Sequence, residues 1–105
     1  MTVRVWRITK RQYQESAFSG EGARLYGGRF NSEGFRAVYA SASLSLSLLE
    51  LLVQIDDRGF LKDCVQFYAD IPEKLIYKPH INDLSAGWDK IPYGKAAQQL
   101  GDKWI

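Results

Sequence analysis

The sequence predicts an α+β domain spanning residues 1–105, and three stretches carry that prediction. Residues 3–8 alternate as a strand does, residues 44–55 repeat leucine at helical spacing, and residues 64–71 form an apolar run stopped by Pro72. A chain of 105 residues is long enough for one core and too short for two. Its 46% hydrophobic and 25% charged content is that of an ordinary globular protein. With 14 basic and 12 acidic residues the net charge is only +2, too balanced for the clustered basic surface of a nucleic-acid binder. The single cysteine, Cys64, has no internal disulfide partner, which points to a reducing compartment. No basic-then-apolar leader opens the chain, and no apolar run approaches the roughly 18 residues of a membrane span. The expectation is a cytoplasmic protein without membrane or direct nucleic-acid contact.

In the first strand Val3, Val5 and Arg7 share one face and Arg4, Trp6 and Ile8 the other. An arginine on a core-facing side snorkels to solvent at the strand end, pairs with a carboxylate or reaches into a pocket. Residues 9–18 fit a short helix capped by Thr9. Five glycines between positions 19 and 34 mark irregular backbone. Residues 36–40 then read as a short strand, with Ala37-Val38-Tyr39-Ala40 at its centre.

The helix follows at once, capped by Ser41 or Ser43. Leu44, Leu48, Leu51, Leu52 and Ile55 fall on one face, and Leu46, Leu49 and Val53 on a second stripe, which predicts burial on most sides. Glu50 sits within this apolar helix. A buried carboxylate without a partner costs several kcal/mol, so Glu50 must be paired, exposed or facing a cavity. Ser43, Ser47, Glu50 and Gln54 line up as a polar stripe, which a solvated helix face also explains.

Asp56-Asp57-Arg58-Gly59 predicts the turn that ends the helix, before the strand at 64–71. A further short strand is expected at 75–77, a loop with a packed Trp88 at 81–93, and a closing helix at 94–104 despite Gly101. His80 is the sole histidine, so a metal site or a cysteine–histidine pair has little support.

The densest chemistry lies in Gly22-Ala23-Arg24-Leu25-Tyr26-Gly27-Gly28-Arg29-Phe30-Asn31. Glycine permits close backbone approach, arginine offers a planar fork suited to phosphate, and Tyr26 and Phe30 offer flat faces. The same residues also suit a hairpin turn with Arg29 solvated beside it.

Taken together, Gly20-Glu21-Gly22-Ala23, Gly27-Gly28-Arg29-Phe30-Asn31, Val38-Tyr39-Ala40-Ser41 and the helix ending Ser47-Leu48-Leu49-Glu50 resemble the RES domain of bacterial toxin–antitoxin pairs. Gly101-Asp102-Lys103-Trp104 is similar to that family's late pattern, and Phe30 stands where the family more often has tryptophan. The resemblance implies an ADP-ribosyltransferase-like split antiparallel β core with flanking helices. It also implies cleavage of the nicotinamide–ribose bond of NAD, with water, phosphate or a protein side chain as acceptor and no metal.

Under that resemblance Glu50 stabilises the cationic ribose, Arg29 holds the diphosphate with the amides of Gly27 and Gly28, and Tyr39 stacks on nicotinamide. Arg7 contacts the ribose or a phosphate, Tyr26 and Phe30 are secondary aromatic candidates, and Asn31 either binds NAD or caps the turn. Ser41 and Ser43 read as caps, since no base is placed beside them. The implied partner is an Xre-like helix-turn-helix antitoxin. The family's serine belongs to a later strand, and this chain ends at Ile105, just after its Gly-Asp-x-Trp element. The expectation is therefore a C-terminally shortened domain whose sheet edge favours a homo-oligomer. An inactive fragment that still binds antitoxin is the main alternative; a nucleic-acid-binding module is the weaker one.

Overall fold

The structure, a computed structural model, describes residues 1–54, 58–84, 86–91 and 93–105. Helices and one two-stranded antiparallel sheet make up the described chain, the α+β class expected. It packs as two compact units, Met1–Ala17 with Tyr39–Ile76, and Phe18–Val38 with Tyr77–Ile105.

The first unit is built on β1 (Thr2–Lys10) and β2 (Cys64–Pro72), the first extending beyond the expected 3–8 at both ends and the second one residue longer than the expected 64–71. They pair antiparallel with Trp6 opposite Tyr68 and Arg4 opposite Asp70. Cross-strand side chains reinforce that register. Arg4 Nε donates to Asp70 Oδ1 at 2.8 Å, its guanidinium lies 3.9 Å from the centre of the Tyr68 ring, and Trp6 and Tyr68 meet with ring centres 5.4 Å apart. The guanidinium of Arg4 holds the Asp70 carboxyl below the usual carboxylate range.

Residues 9–18 become a 3-10 turn, Arg11–Ser16, preceded by Lys10 rather than Thr9. The strand expected at 36–40 is absent among the described residues; only Ser41 bridges to Trp6. That bridge is reciprocal, Trp6 N–H to the Ser41 carbonyl at 2.7 Å and Ser41 N–H to the Trp6 carbonyl at 2.8 Å. Residues 75–77 likewise form no strand, because the chain turns through the 3-10 segment Glu73–Leu75 after Pro72.

Helix α2 (Leu44–Gln54) begins where expected, and Ser43 is its cap, its Oγ accepting from Leu46 N–H at 3.1 Å. Ile55, Asp56 and Asp57 lie outside the described residues. The expected burial of α2 on most sides is corrected. Leu46, Leu48, Leu49 and Val53 are exposed, Val53 at 81%, whereas Ser47 is buried. One hydrogen bond bears on this: Ser47 Oγ donates to the Trp6 carbonyl at 3.1 Å, so that hydroxyl faces β1, while Ser43 and Glu50 of the same stripe stay exposed. That carbonyl accepts from both Ser41 and Ser47, filling its two lone pairs.

The second unit holds α1 (Glu21–Tyr26) and α3 (Lys95–Trp104). The short α1 corrects the reading of 19–34 as wholly irregular. Gly20 precedes it at φ +73° with its Cβ position against Arg36 and Ala37, and Glu21 is paired with Arg24 and Arg36. A 3-10 turn, Ile81–Asp83, interrupts the predicted loop, with His80 Nδ1 accepting from Asn82 N–H. Ala97 of α3 is fully buried. No helix of the described residues is long and apolar enough to cross a membrane.

Candidate functional site

Three separated segments of the first unit enclose a cleft of about 160 Å³. Trp6, Arg7 and Ile8 contribute from β1, Tyr39, Ala40 and Ser41 from the extended segment beside it, and Ser47, Glu50 and Leu51 from α2. The two Trp6–Ser41 backbone bonds hold the middle segment, and the Ser47 hydroxyl holds the helix, so one strand residue anchors both walls.

Arg7 is fixed by backbone rather than by a carboxylate. Its Nε donates to the Ala17 carbonyl at 2.7 Å and its Nη1 to the Tyr39 carbonyl at 3.0 Å. These bonds use two of five guanidinium donors and orient a cation whose charge no carboxylate among these bonds neutralises. Burial lowers its pKa from the ordinary arginine value, yet a guanidinium remains charged at neutral pH. Tyr39 and Glu50 are both exposed, so the cleft is reachable from solvent. A cation, a carboxylate, a phenol and two buried hydroxyls thus share one concavity. Such a set can bind a polar, partly aromatic group and oppose developing positive charge with a carboxylate.

The glycine–arginine stretch lies in the second unit and is a tight turn closed by a Gly28–Asn31 bridge. Gly27 takes φ +75° at the end of α1, and its N–H donates to the Ala23 carbonyl at 2.8 Å. Gly28 N–H donates to the Asn31 carbonyl at 3.0 Å. Each amide is a single donor, and in this turn both are engaged by carbonyls. Asn31 is fully buried, its Nδ2 reaching the carbonyls of Ala23 at 2.7 Å, Phe35 at 3.0 Å and Ser32 at 3.3 Å. It ties the turn, the capping role the sequence allowed for it.

Arg29 sits at the tip of that turn, Nη1 donating to the Lys90 carbonyl at 3.4 Å and its guanidinium 5.5 Å from the Tyr93 ring centre. Phe30 is half-buried, and Tyr26, at the end of α1, is 81% exposed. Helix α3 clamps the turn from one side. Gln98 Nε2 donates to the Gly28 carbonyl at 3.1 Å, and Asp102 Oδ1 accepts from Ser32 N–H at 2.7 Å. A Cβ on Gly101 would collide with the Phe30 carbonyl.

The structure therefore brings Arg7, Tyr39 and Glu50 together on one cleft, and Gly27, Gly28, Arg29, Phe30 and Asn31 into one turn near Tyr26. Sequence reasoning missed Trp6, Ser47 and Leu51 in the cleft and Gln98, Gly101 and Asp102 behind the turn. Ser47 was within reach of it, three residues before Glu50 on the same helix face.

Comparison with known proteins agrees with the motifs. The RES domain matches residues 4–105 of the chain. A protein named Toxin Res from Photorhabdus laumondii is 39% identical over 101 residues, covering 96% of this chain and 65% of that protein. A second Toxin Res, from Yersinia enterocolitica, is 34% identical over 96% of this chain and 66% of its own length. A Sphingobium protein named Prs ADP-ribosylating toxin is 31% identical over 99% of this chain and 68% of its own length. The chain thus spans just under two thirds of the length of the two Toxin Res relatives.

Proposed function

The chain belongs to the RES domain family, and from that membership we propose that it is a toxin domain that destroys NAD by cleaving the nicotinamide–ribose bond. The observation that carries this reading is the convergence of Arg7, Tyr39 and Glu50 on one cleft. The name of the Sphingobium relative supports an activity that handles ADP-ribose.

The cleft of about 160 Å³ is smaller than the roughly 300–1,000 Å³ of pockets that enclose whole small molecules, so it suits one end of NAD. Nicotinamide and its ribose are the end that reacts. Rupture of the glycosidic bond sends its electron pair to nicotinamide and leaves an oxocarbenium-like ribose. The Glu50 carboxylate opposes that charge and accepts a hydrogen bond from a ribose hydroxyl. Tyr39 stacks on the departing ring and limits water. Arg7, held at the Ala17 and Tyr39 carbonyls, directs its remaining donors to ribose or phosphate. An oxygen of water, phosphate or a protein side chain then bonds to the ribose carbon, losing its proton to solvent. Arg29 serves the diphosphate as a cation. An Xre-like helix-turn-helix antitoxin is the inhibitory partner in this reading.

The test is nicotinamide release from NAD by the purified chain, with and without inorganic phosphate. The expected result is stoichiometric nicotinamide, with a phosphorylated ADP-ribose appearing in the phosphate series if phosphate is the acceptor. NAD left intact by a folded chain overturns catalysis and favours an antitoxin-binding role.

A further inference from the structure

The turn that carries Arg29 is held from behind by three residues of one helix face. Gln98, Gly101 and Asp102 fall at i, i+3 and i+4 of α3, and each meets a different part of the turn. Gln98 fastens the carbonyl of Gly28, on one side of Arg29, at 3.1 Å. Asp102 fastens the amide of Ser32, just beyond Asn31, at 2.7 Å. Between them the missing side chain of Gly101 lets the helix approach the Phe30 carbonyl. From inside, Asn31 ties the same turn to Ala23 and Phe35.

Such an arrangement does more than close a loop. A two-residue tip already has its own Gly28–Asn31 bridge, which suffices for a turn. The additional bonds flank Arg29 on both sides and restrict the rotation of the peptide units that aim it. The Asp102 bond is charge-assisted, a stronger class than a neutral amide contact. We infer that Asp102, with Gln98 and Gly101, is a positioning residue that fixes the Arg29 guanidinium for an anionic ligand, the diphosphate of NAD. This rests on the proposed function, which supplies that ligand. It also gives the Gly-Gly-Arg-Phe-Asn and Gly-Asp-Lys-Trp elements one shared task, although 70 residues separate Ser32 from Asp102.

The test follows two readouts in the full chain, amide hydrogen exchange at Ser32 and the kcat and KM for NAD. Asp102→Ala is expected to speed Ser32 exchange and raise KM about tenfold while kcat stays within about twofold. Asp102→Asn keeps an acceptor oxygen and restores both readouts to within about threefold of the parent. In an Arg29→Ala background Asp102→Ala adds no further rise in KM, because there is no guanidinium left to aim. If Ser32 exchange accelerates with KM unmoved, or if the two KM losses multiply, Asp102 is a structural tie only and the inference is overturned. Should Asp102→Ala fail to fold, Gln98→Ala is judged on KM by the same two criteria. A parent chain that leaves NAD intact overturns the proposed function and this inference with it. An active parent with multiplied losses overturns this inference alone.

Discussion

The two units use their polar residues in opposite ways. In the first, Arg7 leans on two carbonyls and Ser41 and Ser47 on one, while Tyr39 and Glu50 stay exposed on a cleft. In the second, Asn31, Gln98, Asp102 and the amides of Gly27 and Gly28 are committed to backbone partners in and around one turn, with Arg29 at the tip. The first arrangement leaves polar groups facing outward; the second ties its polar groups into one turn. The glycine-rich stretch is thus closely tied within itself, and the cleft is lined by three separated segments.

The largest expected effect separates the units by chemistry. Glu50→Gln is expected to lower kcat by on the order of 10²–10³, the scale of losing one electrostatic stabiliser of a charged transition state. Because Glu50 is exposed, thermal stability should not change, and melting curves beside the kinetics check both halves of the statement. Asn31→Ala is the mirror image. It strips the hydrogen-bond donor from three carbonyls at a fully buried position and should cost about 1–3 kcal/mol. In a domain of this size that lowers the melting temperature by roughly 4–8 °C for each kcal/mol.

Arg7→Lys sharpens the comparison within the first unit. A single ammonium cannot reproduce the fork that serves Ala17 and Tyr39 together, so a loss of about 1 kcal/mol and a raised KM are expected. A lysine variant with parental stability and KM would show that the fork is dispensable.

The smallest effect is on pH. Arg24 holds Glu21, and Arg4 holds Asp70, below the usual carboxylate range. A depressed folded-state pKa stabilises the fold above the ordinary carboxylate pKa of about 4, and that gain fades as pH falls through the folded value. Denaturation midpoints should therefore drop slightly below pH 4, less so in Asp70→Asn, and be flat from pH 6 to 8 on account of these groups.

Much of the fold was legible because it depends on periodicity. The alternation of Val3 and Val5, the apolar run from Cys64 and the leucine repeat from Leu44 each announce an element that local sequence suffices to specify. The segment at 36–40 was misread because it has strand composition, yet among the described residues only the next one, Ser41, bridges, and pairing is a tertiary event. The orientation of α2 was hidden for a related reason. Counting leucines directs the helix by apolar area, whereas the bond from the Ser47 hydroxyl to the Trp6 carbonyl turns that one polar residue inward. Arg7, Tyr39 and Glu50 were individually identifiable as residues suited to a site, yet their convergence needs the β1–α2 packing. Asp102 lay within a recognisable motif, but its bond to Ser32, far away in sequence, is visible only in the fold.

The most direct measurement is chemical-shift mapping of the isotope-labelled chain with nicotinamide. Shifts should concentrate at Trp6, Ile8, Ala40, Ser41 and Leu51, the backbone around Arg7, Tyr39 and Glu50, and vanish in Tyr39→Ala. Shifts confined to Gly27–Asn31, or none at saturating nicotinamide, would contradict the assignment of the reacting end of NAD to this cleft.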